Sequence, residues 1–313
     1  MLKFAHFDYF TLIMNPFTLN LLYIFAIGLN IVLLRYFSTQ LDVLNNNGVR
    51  FLSGAVMLLI WVWFRHRQSL WQLLKQPKLL GIALLVGVLM CANMYFYLKG
   101  VAVTNSVTGA IFGVIAMPFG VLVAALFFDD ERQKIRSLRF WIGCGLTLVG
   151  CLGFIASGKA LNLSDSFWLG SLFLLCSLVI RNVQNLIVKF TNNKLNVFTL
   201  SCFTSFSTAF ISLFFSVQTD KIGELQQLSP LFLASLLLFG IYAIGVGMIL
   251  AFHIIQKQGI ITYQILELLL PISTALVAYV LLGETISLEQ TLFACLVMIG
   301  ASVALGVIPS LKR

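Results

Sequence analysis

Long, uninterrupted apolar runs restrict the fold of this chain more than any other feature of its sequence. Ten runs come near the roughly 17 to 25 residues that an α-helix needs to cross a bilayer. Their bounds are Phe17–Tyr36, Gly48–Phe64, Leu79–Leu98, Thr104–Phe127, Phe140–Ser157, Phe167–Ile187, Val197–Ser216, Pro230–Ile255, Ile260–Leu282 and Leu288–Pro309. Because lipid offers no hydrogen-bond partner to the backbone, spanning segments are helices or closed barrels, and barrel strands would give short alternating segments. We therefore expect an all-α integral membrane protein with ten transmembrane helices.

The charge content agrees with a membrane location. Only 10% of the residues are charged and 60% are hydrophobic, whereas about a quarter of a soluble domain is charged. The six cysteines all lie within the apolar runs and lack the spacing of metal ligands, so we interpret them as packing residues. We therefore expect no metal site and no cofactor.

The net charge of +9 is distributed unevenly along the chain. If the N-terminus is cytoplasmic, ten spans place fifteen of the twenty Lys and Arg residues on the cytoplasmic side. The other five are Arg35, Arg50, Lys99, Lys159 and Lys221. This positive-inside bias predicts that both termini lie in the cytosol. We therefore interpret the basic balance as a topology signal, with a contribution from anionic membrane lipid, and not as a nucleic-acid-binding surface.

The chain contains an internal repeat of five spans. Pro118 and Pro271 each stand thirteen residues before a glutamate, Glu131 and Glu284, so an offset of 153 aligns residues 112–131 with 265–284. Because five is an odd number, the second copy crosses the membrane in the opposite sense to the first. We therefore expect two inverted five-helix repeats. Such repeats are typical of carriers that work by alternating access.

The connection after each copy predicts a helix start. Ser287-Leu-Glu-Gln290 has the spacing of a capping box, and Ser137 stands at the equivalent place in the first copy. Residues 1–13 are either an interfacial aromatic arm or the product of an upstream start codon. The predicted organisation is an N-terminal arm (1–16), a first repeat (17–157), a linker (158–165), a second repeat (166–309) and a C-terminal tail (310–313).

Several weak motifs fall in the same order as in a known family. They are the two five-helix halves, Gly28 in the first span, Arg50-Phe51-Leu52 in the second, Pro271 before Leu282-Gly283-Glu284, and Gly300 in the last span. In these features the chain resembles the EamA family of the drug/metabolite transporter superfamily from Phe17 to about Pro309. It departs from the family at Ile27-Gly28, often Trp-Gly, at Leu270-Pro271, often Glu-Pro, and at Asp129-Asp130-Glu131, which replaces Gly-Glu.

The resemblance implies a ten-helix secondary transporter of small metabolites, commonly an exporter of amino acids or related compounds. It also implies a multi-pass protein of the bacterial cytoplasmic (inner) membrane. Because these departures lie in the family's own motifs, the resemblance does not identify the substrate.

Two charged residues stand inside the predicted spans. Arg181 lies six residues and Glu267 seven residues from the cytoplasmic ends of their spans, which corresponds to roughly 9 and 10 Å. A charge at a helix centre costs about 2.5 to 3.5 kcal/mol, so such residues usually face a bundle interior or a cavity. Gln184 and Asn185 share a helix face with Arg181, and Gln264 shares one with Glu267. We expect these five side chains to line a polar cavity.

The two prolines predict helix breaks within the fourth and ninth spans. Pro271 cannot donate a hydrogen bond to the carbonyl of Glu267, four residues earlier, and Pro118 is its counterpart in the first repeat. We hypothesise that Arg181 binds a substrate carboxylate, while Glu267 receives an ammonium group or a coupling proton. Two alternatives remain: Arg181 extends to cytoplasmic headgroups, or the two residues form a purely structural ion pair between the halves.

Three further residues are weaker candidates for the cavity lining. Asn93 and Tyr97 share a face of the third predicted span, and Asn30 lies at comparable depth in the first. Hydrogen bonding between helices is an equally good explanation of these residues.

These features favour a secondary transporter, an exporter of a small polar metabolite such as an amino acid or related zwitterion. The proton gradient or the gradient of the substrate itself would drive it. We expect no catalytic residues and no enzymatic activity, since no phosphate-binding G-x-x-x-x-G-K-[ST] motif and no H-E-x-x-H motif occur. The alternative is a membrane scaffold or sensor that transports nothing, but such a protein would need neither a polar cavity nor inverted repeats.

Overall fold

The computed structural model describes residues 15–103, 106–158, 167–282 and 287–305, and every regular element in these ranges is helical. We number the helices α1 (Pro16–Ser38), α2 (Val43–Arg65), α3 (Arg67–Lys75), α4 (Pro77–Val103), α5 (Ser106–Phe127), α6 (Asp129–Lys134), α7 (Leu138–Gly158), α8 (Phe167–Phe190), α9 (Val197–Gln218), α10 (Pro230–Lys257), α11 (Ile260–Glu267), α12 (Leu270–Leu282) and α13 (Leu288–Ala304). A short 3₁₀ helix, Ile222–Gln227, precedes α10, and residues Ala243–Met248 of α10 are π-helical. The predicted linker, the C-terminal tail and Glu284 lie outside the described residues.

The membrane-spanning helices account for most of the described chain. Seven of them, α1, α2, α4, α7, α8, α9 and α10, are long and apolar enough to cross a membrane. The pair α11 and α12 counts as an eighth span if its halves, which are bent by 42°, cross together. Two shorter apolar segments are Ala116–Phe127 of α5 and the whole of α13. The protein is therefore an all-helical, multi-pass membrane protein, and the number of ten spans stays a prediction.

Side-chain caps fix several helix starts where the sequence supplies the residues for them. Asp42 accepts a hydrogen bond from the amide of Leu44 at 2.9 Å at the start of α2. At the start of α13, Ser287 and Gln290 form both bonds of the predicted capping box. Ser137 Oγ accepts from the amide of Phe140 at 3.1 Å. Each cap satisfies an amide that has no partner within its own helix, and the predicted caps at Ser137 and Ser287 are confirmed.

The helices pack mainly in pairs that join the two predicted repeats. Helix α2 packs against α9, α7 against α13, α4 against α8, and α5 against α11. Polar contacts gather at both ends of the bundle. At the end that we call the Glu131 end, Glu131 contacts the start of α11 and the last turn of α8. At the opposite end, the Glu224 end, Glu224 contacts the start of α2.

Helices α7 and α13 approach each other so closely that their backbones touch. A Cβ atom added at Gly143 would lie 2.7 Å from the carbonyl oxygen of Gly300, and one added at Gly300 would lie 2.6 Å from the amide of Thr147. Small residues permit such contacts between membrane helices.

The substitution Gly143→Val should therefore separate α7 from α13 and lower the stability of the folded protein by about 1 to 3 kcal/mol, as overpacking does. Thermal unfolding of the purified protein in detergent measures this change. Gly145→Val is the matched control, because a Cβ at Gly145 has no atom within 4 Å. Equal unfolding temperatures for the two variants would contradict the contact.

Candidate functional site

A break in the last part of the chain creates the centre of the site. Helix α11 ends at Glu267, and α12 begins at Leu270, so that Pro271 occupies the first turn of α12. Between them, the amide of Leu268 donates to the carbonyl of Ile265 at 3.2 Å. A proline cannot donate to the carbonyl four residues earlier, and the helix ends at the residue that carries this carbonyl. The predicted break therefore places Glu267 at the C-terminus of α11.

Both carboxylate oxygens of Glu267 have partners. Arg181 of α8 pairs with Glu267 Oε2 at 3.1 Å, and the Tyr23 hydroxyl of α1 donates to Oε1 at 2.6 Å. The Glu267 side chain is 10% exposed and that of Arg181 is 24% exposed. Two opposite charges this close offset part of the cost of removing each from water. The site is therefore an ion pair held inside the bundle.

The structure forms the ion pair of one structural alternative that the sequence left open, but not between the halves. The guanidinium of Arg181 is engaged by Glu267 inside the bundle. Both residues belong to the second repeat, so the ion pair does not connect the two halves. Tyr23, which the sequence analysis missed, makes the contact with the first repeat. It lies seven residues after the start of α1, and this depth matches that of Glu267 in α11, which was the available signal.

A second tyrosine borders the ion pair. Tyr263 is buried one turn before Glu267, and its ring lies 6.0 Å from that of Tyr23, centroid to centroid. Tyr97 of α4, a predicted site residue, lies within electrostatic range of Arg181 and Glu267. Three phenols and one ion pair therefore form a polar centre within the bundle.

Two buried amides continue the polar surface next to this centre. Gln264 Nε2 donates to Asn182 Oδ1 at 2.9 Å, and Asn182 in turn donates to the carbonyl of Leu178 at 2.9 Å. Gln264 Oε1 is buried and has no hydrogen-bond partner among the described residues. Gly120 of α5 faces this pair, and any Cβ there would overlap both amide groups. Gln264 was predicted, whereas Asn182 was missed.

The remaining predicted amides do not contact the ion pair. Gln184 is buried, with its Nε2 3.7 Å from Met90 Sδ. Asn185 is also buried, and its Nδ2 lacks a partner within the part of the chain that is described. Asn93 accepts a 2.7 Å hydrogen bond from the Ser177 hydroxyl, so it links α4 to α8 as the alternative interpretation proposed.

Asn30 and Pro118 also differ from expectation. Asn30 Oδ1 is buried and finds no partner in the described ranges, and its Nδ2 faces Gly247 of α10, where an added Cβ would lie 3.4 Å away. Helix α5 continues through Pro118, where a break was predicted. A membrane helix tolerates a proline when neighbouring helices satisfy the backbone groups that the proline leaves without a partner. Helix α5 packs against both α8 and α11.

The carboxylate of Glu131 fixes the start of α11. Glu131 is fully buried and accepts hydrogen bonds from the amides of Ile260 at 2.6 Å and Ile261 at 3.4 Å. It also pairs with Lys134 and Lys189, each at 3.0 Å. A negative charge at a helix N-terminus is favourable because the first amides are unpaired and carry partial positive charge. Glu131 therefore fixes the N-terminal end of α11, and Glu267 lies at the C-terminal end of the same helix.

The residues around Glu131 complete this network. Gly259 has a φ of 100°, and a Cβ there would overlap Glu131 Oε1. Asp130 accepts a 2.5 Å hydrogen bond from Lys189 Nζ. Burial raises the pKa of Asp130, but the hydrogen bond and charge of Lys189, together with the charge of Lys134, bring the pKa below its usual value. Asp130 is therefore ionised at neutral pH and shares Lys189 with Glu131.

Similarity to known proteins extends over nearly the whole chain. The family described as the EamA-like transporter family matches residues 16–156 and again 168–306. A protein of Haemophilus influenzae described as an uncharacterized transporter is 36% identical over 295 residues, which cover 93% of this chain and 97% of that protein. A solved structure described only as the crystal structure of a protein has a TM-score of 0.70 over 92% of this chain and 95% of that chain. Its 15% sequence identity shows a shared fold alone.

Proposed function

Because the chain belongs to the EamA-like transporter family and is a membrane transporter, we propose that it exports a small polar metabolite, such as an amino acid or related zwitterion, by alternating access. The observation that carries this proposal is the Arg181–Glu267 ion pair, held inside the bundle at a helix break. A charged pair with a neighbouring phenol suits a substrate or proton site within the membrane. We propose no enzymatic reaction.

The proposed topology has ten spans. The seven long helices and the bent pair α11 and α12 give eight, and α5 and α13 give the other two. Basic residues cluster at the Glu131 end: Arg65, Arg67, Lys75, Lys78, Arg132, Lys134, Arg136, Arg139, Lys189, Lys194 and Lys257. By the positive-inside rule, we place the Glu131 end and both termini on the cytoplasmic side of a bacterial inner membrane.

The packing of the helices supports inverted repeats. Under a twofold axis in the membrane plane, the second span exchanges with the seventh, the fourth with the ninth and the fifth with the tenth. These are the pairs α2 with α9, α5 with α11, and α7 with α13, and each of them is in contact. Inverted repeats supply the two related conformations that alternating access requires.

A zwitterion could replace the ion pair without leaving a buried charge unpaired. Its carboxylate would bind Arg181, and its ammonium group would bind Glu267. Removing one partner of a buried pair costs about 3 to 5 kcal/mol, and the substrate would avoid this cost because it supplies both missing charges.

Protons would compete with the substrate at the same carboxylate. A protonated Glu267 attracts Arg181 and an ammonium group less strongly than the ionised carboxylate does. Proton binding and substrate binding would therefore exclude each other. Such competition would couple the export of the substrate to the entry of a proton.

A transport assay with the purified protein tests this function. Proteoliposomes loaded with a mixture of unlabelled amino acids should accumulate at least one radiolabelled amino acid by counterflow, and this uptake should saturate. An imposed pH gradient should change its initial rate. Liposomes that lack the protein are the control. If no amino acid of the full set exceeds this control, the proposed substrate class is wrong.

A further inference from the structure

Arg50 is a buried cation without an acidic partner among the described residues. It lies seven residues after the start of α2, which places it roughly 10 Å from the Glu224 end. Arg50 is buried, with 3% of the residue exposed. All ion pairs of the described chain involve other cations. A buried charge normally has a counter-charge, so Arg50 requires an explanation.

The hydrogen bonds of Arg50 leave part of its guanidinium group unsatisfied. Nη2 donates to Asn47 Oδ1 at 2.8 Å and approaches Met94 Sδ at 3.9 Å. Nε is buried and has no acceptor in the described ranges. The rings of Phe51 and Phe239 lie 5.0 and 5.7 Å from Cζ. Aromatic faces attract a cation, but they do not replace the two acceptors that a guanidinium edge can bind.

Two acids at this end of the bundle, Asp42 and Glu224, are engaged elsewhere. Asp42 accepts from the amide of Leu44 at 2.9 Å. Glu224 accepts from the amide of Asp42 at 3.0 Å and from Asn45 Nδ2 at 3.1 Å. Their carboxylates cap and brace the start of α2. The protein therefore holds acids at this end and does not direct them to Arg50.

The backbone at Arg50 is held firmly in place. Gly240 of α10 faces this turn of α2, and a Cβ there would lie 2.8 Å from Arg50 Cα and overlap its carbonyl oxygen. Because α10 packs closely against α2 here, the Cα atom of Arg50 is fixed inside the bundle. A fixed, buried guanidinium with a free edge is preorganised to receive an anion.

We propose that Arg50 forms a second anion site, on the Glu224 side of the Arg181–Glu267 ion pair, and that it binds the carboxylate of the transported substrate. The inference rests on the proposed transport function and extends it. Arg181 lies fourteen residues after the start of α8, roughly 21 Å from the Glu224 end, so the two sites differ in depth by roughly 10 Å. Met94 of α4 contacts Arg50 from a neighbouring helix. The substrate would contact Arg50 between the ion pair and the Glu224 end.

Acetate is a suitable probe, because it is a small carboxylate with a neutral analogue of nearly the same shape, acetamide. At constant ionic strength, saturating sodium acetate should raise the unfolding temperature of the wild-type protein in detergent by about 2 to 4 °C. Acetamide should give no shift. Arg50→Gln should lose the acetate shift, whereas Lys99→Gln, which removes another positive charge of the same end, should keep it.

A second variant covers the case in which Arg50→Gln does not fold. Asn47→Asp places a carboxylate beside Nη2, where Asn47 Oδ1 now lies at 2.8 Å. This variant should unfold at a higher temperature without acetate and should show no further shift with it. An acetate shift that persists in Asn47→Asp, or one that disappears in Arg181→Gln but not in Arg50→Gln, would overturn the proposal.

The result separates this inference from the proposed function. Amino acid counterflow combined with an unchanged acetate shift in Arg50→Gln rejects the second site and keeps the transport function. An acetate shift that depends on Arg50, with no counterflow of any amino acid, keeps the anion site and rejects amino acids as the substrates. Absence of the acetate shift in the wild-type protein rejects the site outright.

Discussion

Replacing Glu267 by glutamine should reduce amino acid counterflow about 100-fold or more in correctly inserted protein. The substitution removes the carboxylate that pairs with Arg181 at 3.1 Å and accepts from Tyr23 at 2.6 Å. Loss of one partner of a buried pair costs about 3 to 5 kcal/mol, and each 1.4 kcal/mol corresponds to a tenfold change. Initial rates in proteoliposomes, normalised to inserted protein, measure the effect. Glu289→Gln makes the same chemical change at an exposed position and should transport at the wild-type rate.

The double variant Glu267→Gln, Arg181→Gln distinguishes a transport site from a structural ion pair. Removing both charges leaves no unpaired buried charge, so this variant should recover the stability that Glu267→Gln loses. It should not recover transport, because neither end of a zwitterion then has a charged partner. Wild-type counterflow by the double variant would show that the ion pair is structural.

Replacing Glu131 by glutamine should lower the free energy of unfolding by about 3 to 5 kcal/mol, the cost of removing one member of a buried ionic network. The carboxylate accepts from two amides of α11 and pairs with two lysines, of which Lys189 is only 9% exposed. Glutamine keeps one oxygen acceptor but loses the charge. Unfolding in mixed detergent micelles with increasing sodium dodecyl sulfate measures the change.

Asp129→Asn is the matched control for Glu131→Gln. Asp129 pairs with Arg132, but its side chain is 88% exposed, and exposed pairs contribute about 0 to 1 kcal/mol. Hydrogen exchange at the amides of Ile260 and Ile261 gives a local readout, and it should accelerate in Glu131→Gln alone. Equal stability of the two variants would show that Glu131 does not hold α11 in place.

The sequence predicted the elements whose physical cause is local. Ser137 and Ser287 stand at the correct spacing for caps, and the structure shows both caps. Pro271 cannot donate to the carbonyl of Glu267, and the helix ends at that residue. Arg181 and Glu267 were matched by depth, because a charge in an apolar run is costly and therefore conspicuous. In each case, one residue type at one position is enough for the inference.

The missed features depend on packing, which the sequence does not state. Tyr23 carries no charge, so its depth in α1, which matches that of Glu267 in α11, was the one signal that marked it as a partner. Asn182, Gln184 and Asn185 point in different directions around α8, and only the neighbouring helices decide that Asn182 meets Gln264. Pro118 and Pro271 are equivalent in the sequence, yet only the second lies at a break.

Arg50 shows how a helix boundary placed at the end of an apolar run can hide a buried charge. The sequence predicted the second span from Gly48 and counted Arg50 among the external charges. In the structure α2 begins at Val43, and Asn45, Asn46 and Asn47 are all buried. Their amides are satisfied in part by Lys221, Glu224, Ser38 and Arg50. The helix therefore extends further than its apolar run.

Helices α7 and α13 touch through backbone atoms at Gly143 and Gly300, and this contact limits how the two repeats can move. Two helices in such close contact cannot slide along each other without first separating, but they can rock about the point where they meet. During transport, this contact would act as a fulcrum, while displacements grow with distance from it. The Cys151 thiol of α7 donates to the carbonyl of Leu268 at 3.5 Å, beside Glu267, so the site lies close to this contact and the larger movements would occur in helices farther from it.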